Sequence, residues 1–183
     1  MRLFMAVPLP PEVERATVET MRRLKAANWP VRWVGEDGLH VTLKFFGEVT
    51  SDRIDVLAEL LERATREMMP VAMSLTGLGC FPNTARPRVL YLEAEADTGL
   101  ELLQDRIERG ADGLGFPPEG RPFRPHVTLG RVREGHRLPS GWHDVAAELA
   151  PVAPFLVDRV VLFESELGDG APRYQPRAEA RLL

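Results

Sequence analysis

The chain has 183 residues, of which 44% are hydrophobic and 27% charged, a composition typical of a globular protein that buries one core. The net charge of −4 disfavours broad, non-specific binding to duplex DNA, because such binding depends on neutralising many phosphates. The single cysteine, Cys80, excludes an internal disulfide and any multi-cysteine metal site.

The first half of the chain predicts strands that alternate with helices. Runs of β-branched and aromatic residues bounded by Gly and Pro predict strands at residues 2–9, 31–34 and 39–49. Apolar residues at helical spacing predict a helix at 10–27 and a second helix that begins at Thr50 or Ser51 and ends near Met68. A Gly-rich turn is expected at residues 35–38.

The second half repeats this alternation. Strands are predicted at residues 71–78, 89–96 and 155–164, around residue 126, and from Tyr174 onward. Helices are predicted at 98–110, where Thr98 and Glu101 form a capping box, and at 142–149. Irregular segments are expected at 79–87, 113–125 and 135–141, and a turn at 168–170.

This element order predicts an α+β fold with a mainly antiparallel sheet. A half-chain repeat supports two lobes related by approximate two-fold symmetry, with helices outside and a central cleft, within a single domain spanning residues 1–183. No apolar run is long enough for a signal peptide or a membrane span, so a cytoplasmic monomer without membrane contacts is expected.

The repeat consists of His40-Val41-Thr42-Leu43 and His126-Val127-Thr128-Leu129. Side chains alternate along a strand, so the Val and Leu of each copy face the core while the His and Thr share the opposite face. A lone His-x-Thr would indicate little. Two copies in a chain with only four histidines point to a duplicated unit that presents two imidazoles and two hydroxyls to one cleft.

This set of groups suits in-line displacement at phosphorus, where nucleophile and leaving group lie on opposite sides of the phosphate. Imidazoles titrate near neutral pH, so one can accept a proton from water while the other donates a proton to the leaving oxygen. Thr42 and Thr128 can donate hydrogen bonds to the equatorial oxygens, and Lys44 or Arg131 can offset their charge. The residues alone leave open which imidazole is the acid.

Further ligand contacts are predicted with less support from the pattern. Strict alternation puts Lys44 and Phe46 on the cleft face, but it turns Arg131 away unless a bulge near Gly130 or the strand end brings it round. The remaining candidates for contacts with base or phosphate are Phe81, Arg86, Arg88, Arg124 and Tyr174. The aromatic candidates are equally compatible with core positions.

Taken together, these motifs resemble the two-histidine (2H) phosphoesterase superfamily and, within it, the RNA 2′,3′-cyclic phosphodiesterase family once named for 2′-5′ RNA ligation. The resemblance covers most of the chain and is strongest at residues 32–34, 39–47, 87–92, 123–131 and 172–174.

That resemblance implies metal-free, cofactor-independent opening of a terminal 2′,3′-cyclic phosphate to a 2′-phosphate. The expected substrates are RNA 3′ ends or small cyclic nucleotides. On the matching positions, it implies that His40 is the proton donor and His126 the proton acceptor.

Three other classes of function compete with this hypothesis. A metal hydrolase is disfavoured because the chain has no His-Glu-x-x-His, no His-x-His and no Cys pair. A Walker or Rossmann site is disfavoured because neither Gly77-x-Gly79 nor Gly113-x-Gly115 precedes the required helix. A non-catalytic module that binds RNA ends or nucleotides stays open, as do phosphodiesterases for other cyclic or 2′-5′-linked nucleotides and the reverse ligation.

Overall fold

The computed structural model of the protein describes residues 1–149, 152–166 and 172–183. The described strands are β1 (Arg2–Pro8), β2 (Val31–Trp33), β3 (His40–Glu48), β4 (Val71–Phe81), β5 (Val89–Ala96), β6 (His126–Val132), β7 (Val152–Val157), β8 (Arg159–Glu166) and β9 (Arg173–Arg181). The described α-helices are α1 (Pro11–Ala26), α2 (Ile54–Thr65), α3 (Thr98–Asp112) and α4 (Trp142–Ala147). None of these helices is long and apolar enough to cross a membrane.

The strands form one sheet in the order β7-β4-β5-β6-β3-β1-β8-β9, with β2 added beside β6, and every described pairing is antiparallel. The series β6-β5-β4-β7 on one side therefore mirrors β3-β1-β8-β9 on the other. The predicted α+β fold with two related lobes is confirmed, and the local two-fold axis passes between β3 and β6.

The sheet is curled. Only Asp158 separates β7 from β8, so the ends of these strands lie within a few ångströms of each other. In the sheet order, however, β7 is one edge strand and β8 lies next to the other edge. A flat sheet cannot satisfy both conditions, and the strands accordingly bend into a half-barrel.

One hydrophobic core runs through both halves and is covered by the amphipathic helices. In α1 the residues Val13, Val18, Met21 and Leu24 are buried at helical spacing, while the opposite face carries charged residues. Leu57 and Leu61 of α2 and Leu103 of α3 are fully buried in the same way. Burial on this face leaves the other face of the central strands to form the cleft.

Several predicted details of helix capping are wrong. Asp97, rather than Thr98, caps α3, because its carboxylate accepts from the Gly99 backbone N–H at 2.8 Å. At the other predicted cap, Thr50 makes no side-chain capping hydrogen bond, and Ser51 begins a short 3₁₀ turn before α2.

Two predicted strand boundaries also differ from the structure. The strand predicted at 155–164 is two strands, because β7 pairs with β4 whereas β8 pairs with β1. β4 continues to Phe81, which shortens the loop predicted at 79–87. The turn predicted at 168–170 lies outside the described residues.

Candidate active site

The two His-Val-Thr segments meet at the centre of the sheet. Val41 of β3 pairs with Val127 of β6, and both valines are fully buried on the core side. This antiparallel register sets His40 opposite Thr128 and His126 opposite Thr42 on the other face of the sheet. The structure thus brings both imidazoles and both hydroxyls to one cleft at the junction of the lobes.

A β-bulge follows the first segment. Thr42 pairs with Ala6 of β1 whereas Lys44 pairs with Met5, so Leu43 is an extra residue in β3. A bulge shifts the alternation of side chains by one position. From Lys44 to Phe46, therefore, the faces of β3 are the reverse of those that strict alternation predicts.

For this reason the Lys44 amine and the Phe46 ring do not take the predicted cleft-facing positions, although Lys44 still borders the cavity next to His126. The Lys44 amine, on a side chain only 2% exposed, donates to the Glu108 carboxylate of α3 at 2.8 Å. Phe46 is buried and packs edge-on against Phe116. Phe45, which the sequence pattern assigned to the core, is 60% exposed on the cleft side.

The second segment carries the matching bulge. Thr128 pairs with Tyr91 of β5 whereas Gly130 pairs with Leu90, and the burial pattern along β6 is the same as along β3. The bulge near Gly130 that the sequence analysis required is therefore present. It turns Arg131 to the exposed, cleft side of β6.

Arg131 lies opposite another arginine. The register of β2 with β6 pairs Arg131 with Arg32, so both guanidinium groups project from the same face. β2 approaches closely because residue 130 is glycine: a Cβ there would lie 2.6 Å from Val31 and 2.9 Å from the Arg32 carbonyl oxygen. Two like charges directly opposite each other destabilise a sheet. Such a pair of arginines is expected where an anion binds between the two guanidinium groups.

Backbone carbonyls orient the two imidazoles in the same way. Nδ1 of His40 lies 2.8 Å from the Gly38 carbonyl oxygen, and Nδ1 of His126 lies 2.8 Å from the Arg124 carbonyl oxygen. A carbonyl only accepts, so each Nδ1 carries the proton and donates it. In the neutral ring Nε2 is then an acceptor, available for proton exchange with a ligand in the cleft.

Aromatic rings surround both imidazoles. The rings in contact are Phe4 and Tyr174 around His40, with centroids at 4.8 and 5.2 Å, and Phe81 and Tyr91 around His126, at 5.1 and 5.0 Å. Of the residues proposed from sequence, Phe81 and Tyr174 thus hold the imidazoles themselves. Burial raises the pKa of Tyr174, while the nearby charge of Arg131 opposes that rise.

Burial sets the protonation of His40. It lowers the pKa of His40 from 6.5 to about 4; the hydrogen bond to Gly38 acts in the opposite direction, and the charge of His126 lowers the pKa further. The influence of His126 shows that the two rings interact across the cleft. His40 is therefore neutral at pH 7 in the free protein.

This lowered pKa predicts acid sensitivity. Between about pH 6.5 and pH 4 the unfolded chain binds a proton at His40 and the folded protein does not, so His40 destabilises the fold as the pH falls through this range. The loss amounts to on the order of 3 kcal/mol. We expect urea unfolding to show this dependence, and His40→Asn to remove that part of it. Replacing exposed His136 by Asn should leave the dependence intact; equal pH slopes for the wild type and His40→Asn would contradict the assignment.

A cavity of about 490 Å³ adjoins His126 and Thr42, and we call it the cleft cavity. Its lining residues are Thr42, Leu43, Lys44, Phe45, Phe81, Pro82, Gln104, Glu119, Arg121, Pro122, Phe123, Arg124 and His126. Phe45, Phe81 and Phe123 offer apolar surface, while Arg121 and Arg124 supply positive charge. Phe45, Phe123 and Arg121 are not predicted from the sequence pattern, and only the Arg-Pro-Phe-Arg run before His126 gives a signal for the last two.

Other predicted residues lie elsewhere. Arg88 lines a separate cavity on the far side of the β4–β5 loop. Cys80 is buried as expected, and burial raises the pKa of its thiol. Within the described ranges, no group of three or more His, Cys, Asp or Glu side chains could hold a metal ion.

Comparison with known proteins gives consistent matches over the whole chain. The family model of the 2′-5′ RNA ligase superfamily matches residues 9–169. The RNA 2′,3′-cyclic phosphodiesterase of Thermotoga maritima is 31% identical over 176 residues, covering 96% of this chain and 92% of that protein. The protein of the same name from Methanothermobacter thermautotrophicus is 32% identical, covering 99% of this chain and 98% of the relative.

Solved structures show the same architecture. A crystal structure of a Thermus thermophilus protein has a TM-score of 0.83 at 31% identity and covers 100% of this chain and 98% of that one. Escherichia coli LigT complexed with 3′-AMP has a TM-score of 0.74 at 28% identity, with coverage of 99% and 97%. Both His-Val-Thr segments fall within these matches.

Proposed function

Because the chain belongs to the 2′-5′ RNA ligase superfamily, we propose that it hydrolyses the terminal 2′,3′-cyclic phosphate of RNA to a 2′-phosphate, without a metal ion. Curated relatives that match nearly the whole chain carry the name RNA 2′,3′-cyclic phosphodiesterase. The observation that carries the proposal is the pairing of Val41 with Val127, which sets two equivalently oriented imidazoles on one face of the sheet.

In this mechanism the cyclic phosphate lies between the two Nε2 atoms. His126 accepts a proton from water, and the water oxygen forms a bond to phosphorus. The bond from phosphorus to the ribose 3′ oxygen breaks on the opposite side, and His40 donates a proton to that oxygen. The phosphate stays on the 2′ oxygen, and proton transfer through solvent restores the two rings.

The remaining groups at the cleft stabilise the charge that builds up on the equatorial oxygens. Thr42 and Thr128 stand beside the opposing histidines and can donate their hydroxyl protons. Arg131 supplies a guanidinium on the same face, and guanidinium groups bind phosphate oxygens in a bidentate manner. The developing charge is thus met without a metal ion in this proposal.

His40 needs a proton before it can act as the acid. Its pKa of about 4 in the free protein means that few molecules hold this proton at neutral pH. A phosphate anion within hydrogen-bond reach favours the charged imidazole, so substrate binding raises the pKa of His40 and increases the fraction of His40 that is protonated. Protonation of His40 is therefore coupled to occupancy of the cleft.

The cleft cavity suits the base of the terminal nucleotide. It borders Thr42 and His126, and it is lined by the exposed ring of Phe45 and the half-buried ring of Phe81. Stacking on aromatic rings binds every base, since all bases have a π face. This arrangement explains how a single site could act on RNA ends of different sequence.

The position of the phosphate after reaction tests the proposal. We expect chelator-treated protein to convert RNA ending in a 2′,3′-cyclic phosphate to RNA ending in a 2′-phosphate, because His40 protonates the 3′ oxygen. A terminal phosphate that resists a 3′-specific phosphatase but is removed by a non-specific phosphatase is at the 2′ position. A 3′-phosphate product would mean that the bond from phosphorus to the 2′ oxygen breaks, which contradicts the proposal. Loss of turnover with chelator would contradict the metal-free mechanism.

A further inference from the structure

A second cavity, of about 530 Å³, lies on the other side of the β4–β5 loop and is called here the basic cavity. Residues 84–88 of that loop form one wall, and residues 135–143, from the segment after β6 and the first turn of α4, form the other. Three arginines line it, Arg86, Arg88 and Arg137, whereas no Asp or Glu does. The cavity therefore concentrates positive charge in a protein whose net charge is negative.

Among the described residues, no acidic side chain is ion-paired with these arginines. In the part of the chain that the structure describes, none of the three lies within 4.0 Å of a carboxylate oxygen. Elsewhere on the surface, Arg22 and Arg159 are both ion-paired with glutamates. Unpaired guanidinium groups facing one cavity attract an anionic ligand.

The basic cavity and the cleft cavity share one loop as a wall. Phe81 and Pro82 line the cleft cavity, and the next residues of the loop line the basic cavity. The loop is held in shape by the Arg88 N–H, which donates to the Phe81 carbonyl at 2.7 Å, and by the Arg86 N–H, which donates to Asn83 Oδ1 at 3.0 Å. The two cavities are therefore neighbours along one loop of the chain.

We propose that the basic cavity binds the phosphate backbone of RNA on the 5′ side of the terminal nucleotide, an inference that rests on the proposed function. The guanidinium groups of arginine bind phosphate oxygens in a bidentate manner, and such phosphate contacts do not depend on the identity of the base. His143 is exposed and packs at a tilt against buried Trp142, with ring centroids 3.9 Å apart, and adds a ring face for an unpaired base. The preferred substrate is thus an oligonucleotide rather than a mononucleotide.

Paired substrates test this inference. We compare the hydrolysis of a 2′,3′-cyclic mononucleotide with that of a short RNA ending in the same cyclic nucleotide, using the double variant Arg86→Gln/Arg137→Gln. The matched control is Arg15→Gln/Arg63→Gln, which removes the same charge from exposed positions on α1 and α2. Thermal unfolding of both variants verifies the fold.

For the cavity variant we expect KM for the RNA to rise at least about tenfold at an unchanged kcat, because two phosphate contacts are lost. The salt dependence of log KM should become shallower by about 1.4, and both constants for the mononucleotide should be unchanged. An unchanged KM for the RNA, an equal rise in the control variant, or an equal rise with the mononucleotide would overturn the subsite. Failure of the wild type to hydrolyse either substrate would overturn the proposed function instead.

Discussion

Replacing either His40 or His126 by Asn is expected to lower kcat for a 2′,3′-cyclic nucleotide by about 10²- to 10⁴-fold. The Asn amide can still donate to the Gly38 or Arg124 carbonyl that orients the native ring. It cannot exchange a proton at the Nε2 position, so the loss should appear in kcat rather than in KM. Steady-state kinetics with a cyclic mononucleotide measure both constants.

The chain contains a matched control for these variants. Nδ1 of His136 also lies close to the carbonyl oxygen two residues before it, at 2.9 Å from Glu134, but this ring is exposed and outside the cleft. His136→Asn should retain full turnover of the mononucleotide. The double variant of His40 and His126 should be little worse than either single variant, because the two rings act as one unit. Full turnover in either single variant would contradict the two-histidine mechanism.

Replacing Lys44 by Met is expected to lower the free energy of unfolding by about 3 kcal/mol. The Lys44 and Glu108 side chains are only 2% and 12% exposed, so the variant leaves a nearly buried carboxylate without its counter-ion. Glu108 also accepts from Gln104 Nε2 at 3.2 Å and from the Glu119 N–H at 3.3 Å. Because Gln104 and Glu119 line the cleft cavity, KM should rise as well.

The double variant Lys44→Met/Glu108→Gln separates the charge from the packing. The neutral amide in place of the Glu108 carboxylate can keep hydrogen bonds to the neighbouring segment without the cost of an unpaired buried charge. We therefore expect the double variant to be more stable than Lys44→Met. Urea unfolding of the wild type, both single variants and the double variant measures the coupling. A loss below about 1 kcal/mol in Lys44→Met would place this pair among exposed ion pairs and contradict the buried network.

The resemblance seen in the sequence is confirmed by the family match, and most elements lie close to their predicted bounds. The exceptions share one cause. Thr98 and Asp97 compete for the same helix start, and the carboxylate of Asp97 also accepts from the Ala72 N–H of β4, a contact between distant segments. The division of residues 155–164 into β7 and β8 likewise depends on partner strands far away in the chain.

Within the site, the sequence placed the imidazoles and hydroxyls on the correct face, since strand alternation holds as far as Thr42 and Thr128. It failed directly after them. Whether Lys44 or Phe45 faces the cleft depends on the extra residue in β3 relative to β1, which local patterns do not encode. The direction of the Arg131 side chain likewise depends on the pairing of β6 with β5.

Sequence alone is enough to predict the α+β class, the duplicated His-Val-Thr unit and the chemistry that two imidazoles can perform, because these follow from residue type and from periodicity along the chain. The charged groups that reach the cleft, and the arginines that share one cavity, become apparent only in the folded chain. Register, bulges and burial arise from contacts between segments that are distant in sequence. Those contacts direct the Lys44 amine to Glu108 and bring Arg86 and Arg137 to one cavity.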